Sequence, residues 1–186
     1  MIKIDRMEID DVGANPVNLA KAILKQLSSI HAAVPVRTIA KELGIYEIRE
    51  EKLDGFEGCL VSTPERDSGI ITIRSDRDER RKRYTIAHEL GHYLNPFHKP
   101  VNGVFQCNSK DMSVRRSTKA DRANEMEAEA NEFAAELLIP TTFIDRFIQT
   151  HSSIDLDHIR NISSDLEVIK EAAARKYIER FDGSAA

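Results

Sequence analysis

The five residues His88-Glu89-Leu90-Gly91-His92 read H-E-x-x-H within a stretch of helical periodicity. Residues four apart lie one above the other on a helix face, so His88 and His92 can bind a single ion. Zinc suits imidazole at that reach and takes four ligands, leaving one position for water in a catalytic site. Glu89 lies one position round the helix. It can reach the water that the metal activates without ligating the metal itself, which is the position of a general base. The chemistry this spacing suits is hydrolysis at neutral pH.

A catalytic zinc site needs a third protein ligand, and the residues leave two sources open. His98 completes the spacing H-E-x-x-H-x-x-G-x-x-H of the metzincins, with Asn95 in the Gly position. Pro96, however, pushes Asn95 toward extended backbone, and Met112 and Met126 lack the context of a Met-turn. The other source is the acidic segment Glu125–Pro140, where Glu127, Ala130, Asn131, Ala134 and Leu138 share a helix face. Its alanines would let that helix pack close enough for a carboxylate to reach the ion. Glu125 and Glu132 read as solvated, whereas Glu129 stays open as an alternative to Glu127. Cys59 and Cys107 are far apart and form no C-x-x-C, so they read as reduced and partly buried. Any metal should therefore rest mainly on His and carboxylates. His31, His151 and His158 read as ordinary histidines.

Elements to position these groups are visible around them. Asn15 can cap a helix with Pro16 at its first position, followed by an apolar stripe at Leu19, Ile23, Leu24 and Leu27. Val36 to Leu43 fits a short helix closed by Gly44. Ile45–Arg49, Phe56–Val61 and Gly69–Arg74 read as three strands of a small, mainly antiparallel sheet. Ser75 is expected to cap the helix carrying H-E-x-x-H, with Asp78 at N3, and Pro96 to end it. Residues 98–117 read as irregular. Further helices are expected from about Thr118 to Ile139, Thr141 to Gln149, Leu156 to Asn161 and Ser164 to Phe181. The fold class is α+β and mostly helical, in one domain over 1–186, with 1–14 and 182–186 poorly ordered.

H-E-L-G-H followed by E-x-x-A-N-x-F-A-A-x-L-L-x-P resembles the ImmA/IrrE family of bacterial metallopeptidases. The likeness extends upstream through Val34–Ile45, Ile71–Ile73 and Arg83–Glu89 and covers about residues 16–150. It implies a minimal gluzincin-like zinc-peptidase fold, with a small sheet beside the H-E-x-x-H helix. By position it implies a Zn2+ ion on His88, His92 and Glu127, with Glu89 as base. Glu127 is selected over Glu129 because it lies four residues before the Asn of the A-N-x-F-A segment. Asn131 would then orient a ligand from one turn beyond, and Tyr93 or His98 would stabilise an oxyanion. The implied activity is narrow endoproteolysis of a regulatory protein, such as a helix-turn-helix DNA-binding repressor. The alternative is a catalytically silent binding module in a toxin–antitoxin or anti-repressor setting.

Composition narrows the setting. The chain has 186 residues, with 27 Lys+Arg against 31 Asp+Glu and a formal charge of -4. That length suits one domain with its own core. The charge argues against tight, non-specific nucleic-acid binding. No apolar run approaches the ~20 residues of a membrane span, and the start, MIKIDRMEIDDVG, lacks the apolar core of a secretory signal. The expected location is the cytoplasm. Arg37–Ile45 also resembles the middle of a helix-turn-helix, but the alternating Ile45–Arg49 that follows argues against a recognition helix. The mixed-charge run Asp76–Arg83 reads as a solvated helix face, and Arg115-Arg116 as a polar turn.

Overall fold

A computed structural model of the chain describes residues 2–27, 33–100, 103–113, 121–150 and 155–184. His31, Arg115, Arg116, Thr118 and His151 lie outside them. Three helices come first: α1 (Arg6–Asp10), α2 (Pro16–Lys25) and α3 (Val36–Glu42). Three strands follow: β1 (Ile45–Glu51), β2 (Gly58–Ser62) and β3 (Gly69–Arg74). Next come helix α4 (Glu79–Leu94), strand β4 (Val104–Cys107) and a 3-10 turn (Asp111–Ser113). Four helices complete the order: α5 (Arg122–Leu138), α6 (Thr141–Gln149), α7 (Leu156–Asp165) and α8 (Lys170–Ser184). No helix among the described residues is long and apolar enough to cross a membrane.

The sheet differs from the expected three-stranded, mainly antiparallel one. It has four strands in the order β1-β3-β2-β4 and is mixed: β1 runs parallel to β3, while β2 is antiparallel to both β3 and β4. β3 takes the interior place because its alternation is the deepest, with Ile71 and Ile73 fully buried. β4 falls in the stretch expected to be irregular. It is four residues long, with Phe105 and Cys107 facing in and Gln106 out, a pattern too short to stand out in so polar a segment.

Helical starts and ends also shift. Asn15 does cap α2, its side chain accepting from the Asn18 N–H at 3.0 Å. The lead-in over 1–14 carries α1, held by the fully buried Ile9 and by the Asp5 side chain, which accepts from the Met7 N–H. The cap of α4 is Asp78, which accepts from the Arg81 N–H at 3.0 Å. Ser75 is kept out of the helix because its N–H extends the sheet by donating to the Glu51 carbonyl at 2.9 Å. Arg77 is drawn away to Glu57. α7 continues through Asp165, a left-handed Glu167 turns the chain, and α8 runs on through Ser184.

Two packing features place α4 and α5. Residues Thr85 to Leu94 of α4 are all buried, between the sheet and α5. Gly91 lets α5 approach, since a Cβ there would lie 3.1 Å from the Phe133 ring and 3.2 Å from the Ala130 Cα. Glu57 joins sheet to helix. Its carboxylate, 1 % exposed, accepts from Arg77 at 2.6 and 3.0 Å and from the Ser109 hydroxyl at 2.7 Å, with Arg81 at 3.6 Å.

The Arg77 hydrogen bond holds the Glu57 carboxyl down, from its ordinary 4.5 to about 2, against the opposing effect of burial. A depressed carboxyl stabilises the fold above its unfolded pKa and ceases to as pH falls through the folded one. Glu57→Gln is therefore expected to cost about 2 kcal/mol at pH 7, once solvent screening at the half-exposed Arg77 is allowed for. The difference from the parent should fade between about pH 4.5 and 2. Urea denaturation across that range measures it, and a pH-independent difference would contradict the assignment.

Candidate metal centre

One turn of α4 and one turn of α5 face each other and deliver three acceptor atoms to one point. His88 Nε2 lies 3.1 Å from His92 Nε2 and 3.1 Å from Glu127 Oε2, and His92 Nε2 lies 3.5 Å from the same carboxylate oxygen. Cys107 Sγ, arriving from β4, is 3.6 Å from His92 Nε2. One donor atom from each of these four residues falls within 4.8 Å of all the others. His88, His92 and Cys107 are fully buried, whereas the Glu127 side chain is 16 % exposed.

The surrounding hydrogen bonds decide which imidazole nitrogens carry hydrogen. Asn131 Nδ2 donates to the Asp111 carbonyl at 2.8 Å, which fixes the amide with its oxygen toward α4. That oxygen accepts from the Tyr84 hydroxyl at 2.8 Å and from His88 Nδ1 at 2.9 Å. In the neutral imidazole of His88 the hydrogen is therefore on Nδ1, which leaves Nε2 bare. His98 Nε2 donates to Glu129 Oε2 at 2.8 Å, leaving His98 Nδ1 to accept from His92 Nδ1 at 2.9 Å. His92 Nε2 is then bare as well. Burial is the main cause that lowers His92 and His98 to about 4, so both are neutral at pH 7.

Two bare nitrogens and an ionised carboxylate oxygen thus face one another with no hydrogen between them. A cation satisfies all three at once. Zinc bonds of about 2.0–2.3 Å put the corners of a tetrahedron about 3.3–3.6 Å apart, against 3.1 to 3.6 Å for four of the six separations, all six lying within 4.8 Å. The donor chemistry and the spacing both fit a divalent metal of that kind.

Glu89 sits beside this point under β2. It is fully buried, and neither carboxylate oxygen has a hydrogen-bond partner. Burial pushes its carboxyl well above 4.5, the Cys107 thiol opposing in part and the Glu127 charge adding to the rise. Gly58 makes the room, since a Cβ there would lie 2.5 Å from Glu89 Oε1 and 2.5 Å from Thr85 Cγ2.

The other expected residues fall in different places. Asn131 orients His88 from one turn beyond Glu127. His98 contacts the far nitrogen of His92 and, with both ring nitrogens engaged, has none left to donate to an oxyanion. Glu129 backs His98 and also accepts from Asn95 Nδ2 at 3.1 Å. Asn95 is extended, as the following proline dictates. Tyr93 points away from the cluster: its ring lies under the Arg6 guanidinium and against Gly44 and Gly69. Tyr84, Cys107 and Arg66 were not among the expected site residues. Tyr84 was legible as the residue four before His88. Arg66, left-handed at φ 56, donates to the carbonyls of His92 (3.0 Å), Tyr93 (3.3 Å), Asn95 and His98, so it closes the negative end of α4. Nothing local in the sequence marks it.

Since Asn131 and His98 fix the two metal-facing nitrogens, Asn131→Ala and His98→Ala should each weaken divalent-metal affinity by about 10–100-fold. Tyr93→Phe should leave it unchanged. Competition against a chromophoric chelator measures all three, and unaltered affinity in both alanine variants would contradict the hydrogen-bond assignment.

No curated protein sequence matches the chain. Residues 40–177 match the peptidase M78 family, described as an IrrE N-terminal-like domain. With its H-E-x-x-H helix, its converging donors and a match over most of its length, the chain belongs to the IrrE-like M78 family of metallopeptidases.

Proposed function

We propose that the chain is a zinc-dependent endopeptidase of narrow specificity, acting in the cytoplasm on a regulatory protein such as a helix-turn-helix DNA-binding repressor. The observation that carries this reading is the convergence of His88, His92 and Glu127 beside a fully buried, unpartnered Glu89. His88, His92 and Glu127 are the residues that would hold the ion. Zinc supplies Lewis acidity, polarising a carbonyl and bringing the pKa of water down to about 7.

The chain's own groups do the rest. Glu89 Oε1 or Oε2 takes a proton from the attacking water and returns it to the leaving amine, the two roles of a general acid–base residue. Its burial keeps bulk water from competing, and a neighbouring cation lowers the carboxyl that burial has raised. Tyr84, Asn131, His98 and Glu129 hold the two imidazoles still. A regulatory protein as substrate is what the family resemblance implies. A binding partner handled without cleavage is a second reading, favoured by one observation: Cys107 stands among the donors, where a catalytic site keeps a position for water.

Cleavage of a helix-turn-helix repressor encoded beside the chain's gene, followed by mass spectrometry of the fragments, tests the enzyme reading. Glu89→Gln should keep a full complement of zinc and lose about 10²–10⁴-fold in rate. Glu127→Ala should lose the zinc. Equal cleavage by the parent and Glu89→Gln would rule out Glu89 as the base, and repressor binding without cleavage by the parent would establish the second reading. Gly58→Ala drives a methyl group into the Glu89 carboxylate. It should keep metal and lose activity as Glu89→Gln does, and full activity in that variant would show that Glu89 works from another position.

A further inference from the structure

We infer that Cys107 is the fourth protein ligand of the metal centre, so that the loaded site is closed until this thiol withdraws. The inference rests on the zinc reading above and concerns how that site is regulated.

Strand register places the thiol. Cys107 lies opposite Gly58 in the β2–β4 ladder, and the Glu57 N–H donates to its carbonyl at 2.8 Å. Side chains alternate along β4, so Phe105 and Cys107 face the same way. The Phe105 ring stacks on His92 with centroids 4.7 Å apart, and Cys107 Sγ comes to rest 3.6 Å from His92 Nε2. This nitrogen is bare, and the sulfur lies within reach of it. The separation is that of a nitrogen and a sulfur on adjacent corners of a zinc tetrahedron, about 3.6 Å. Ligation exchanges the S–H bond for a bond to the metal and releases the proton.

A second observation comes from Glu89, whose fully buried carboxylate oxygens have no hydrogen-bond partner within the usual distances and lie against Gly58, the ladder partner of Cys107. A base held dry beneath β2 marks the place where a polar ligand of the working state belongs, and the strand partner of Gly58 above it is Cys107. Two His, one Glu and one Cys make a complete four-ligand shell, which is the closed arrangement of structural zinc sites. Catalytic sites keep three protein ligands and an open position. Among the described residues β4 is an edge strand, paired on one side only, with β2. Withdrawal of this short strand or of its thiol opens the fourth position toward Glu89.

The test is cobalt substitution of the full chain, read by near-ultraviolet absorption. A sulfur-to-cobalt charge-transfer band is expected in the parent and in Cys59→Ser. It should be absent in Cys107→Ser, whose cobalt affinity should fall by at least the ~10–100-fold that even outer partners of a ligand cost. Stoichiometric cobalt without the band in the parent, or a band that survives Cys107→Ser, overturns the inference and leaves the zinc reading standing. If no variant binds cobalt, the zinc reading falls and this inference with it. Should Cys107→Ser fail to fold, the parent and Cys59→Ser still decide, because the chain has only two cysteines.

Discussion

The site depends on one constraint: two imidazole lone pairs and a carboxylate must face each other at about hydrogen-bond distance with no hydrogen between them. Such a cluster is unfavourable until a cation enters, so the protein must hold it open by force from behind. Each Nδ1–H needs a fixed acceptor, and each acceptor needs its own restraint. For His88 the series runs through Asn131 to the Asp111 carbonyl, with Tyr84 on the shared oxygen. For His92 it runs through His98 to Glu129. A buried polar group without a partner costs on the order of 1–3 kcal/mol, so cutting either series leaves several groups unsatisfied at once. Helix α5 supplies Glu127, Glu129 and Asn131 within two turns. The approach of its backbone at Ala130 to Gly91 brings all three within reach.

The far end of α4 needs its own support, because His98 lies beyond the helix on a turn. Arg66 gives it. Projecting from the loop between β2 and β3, its guanidinium gathers the carbonyls of His92, Tyr93, Asn95 and His98. A cation at a helix C-terminus meets the partial negative charge of the unpaired carbonyls, and here the same cation fixes the turn that carries His98. The Arg66 carbonyl in turn accepts from Arg6 at 3.3 Å, so the N-terminal helix is tied to the donor cluster through two arginines. Helix α1 lies within the stretch expected to be poorly ordered, and this contact joins it to the turn that carries His98.

What could be read along the chain was whatever depends on spacing within one helix. His88 and His92 at i, i+4 share a face, Glu127 and Asn131 share another, and the structure brings these four side chains together. Tyr84 belongs to the same periodicity. The helix positions were legible for the same reason, with errors at caps where long-range contacts win: Ser75 has a good capping side chain, but its N–H is taken by the sheet. Residues brought in by strand register or loop path left no such mark. Cys107 is two scattered thiols' worth of signal in sequence and a neighbour of His92 in space. Arg66 is one charge in a polar loop. His98 carries the spacing of a metal ligand, yet Pro96 turns the chain so that it meets the back of His92.

The mixed sheet and the position of Cys107 have one cause. In an antiparallel meander of three strands, β2 would lie between β1 and β3, with both of its edges occupied. The observed order puts β3 between β1 and β2 through a parallel β1–β3 pairing, which leaves one edge of β2 free. Only then can β4 add to that edge, and only through that pairing do Gly58 and Cys107 become neighbours above α4. Gly58 gives Glu89 its space, and Cys107 brings sulfur to His92 Nε2. The choice of strand order therefore sets the composition of the donor cluster. It puts a thiol on the fourth side of the donor cluster, carried there by the pairing of a single four-residue strand.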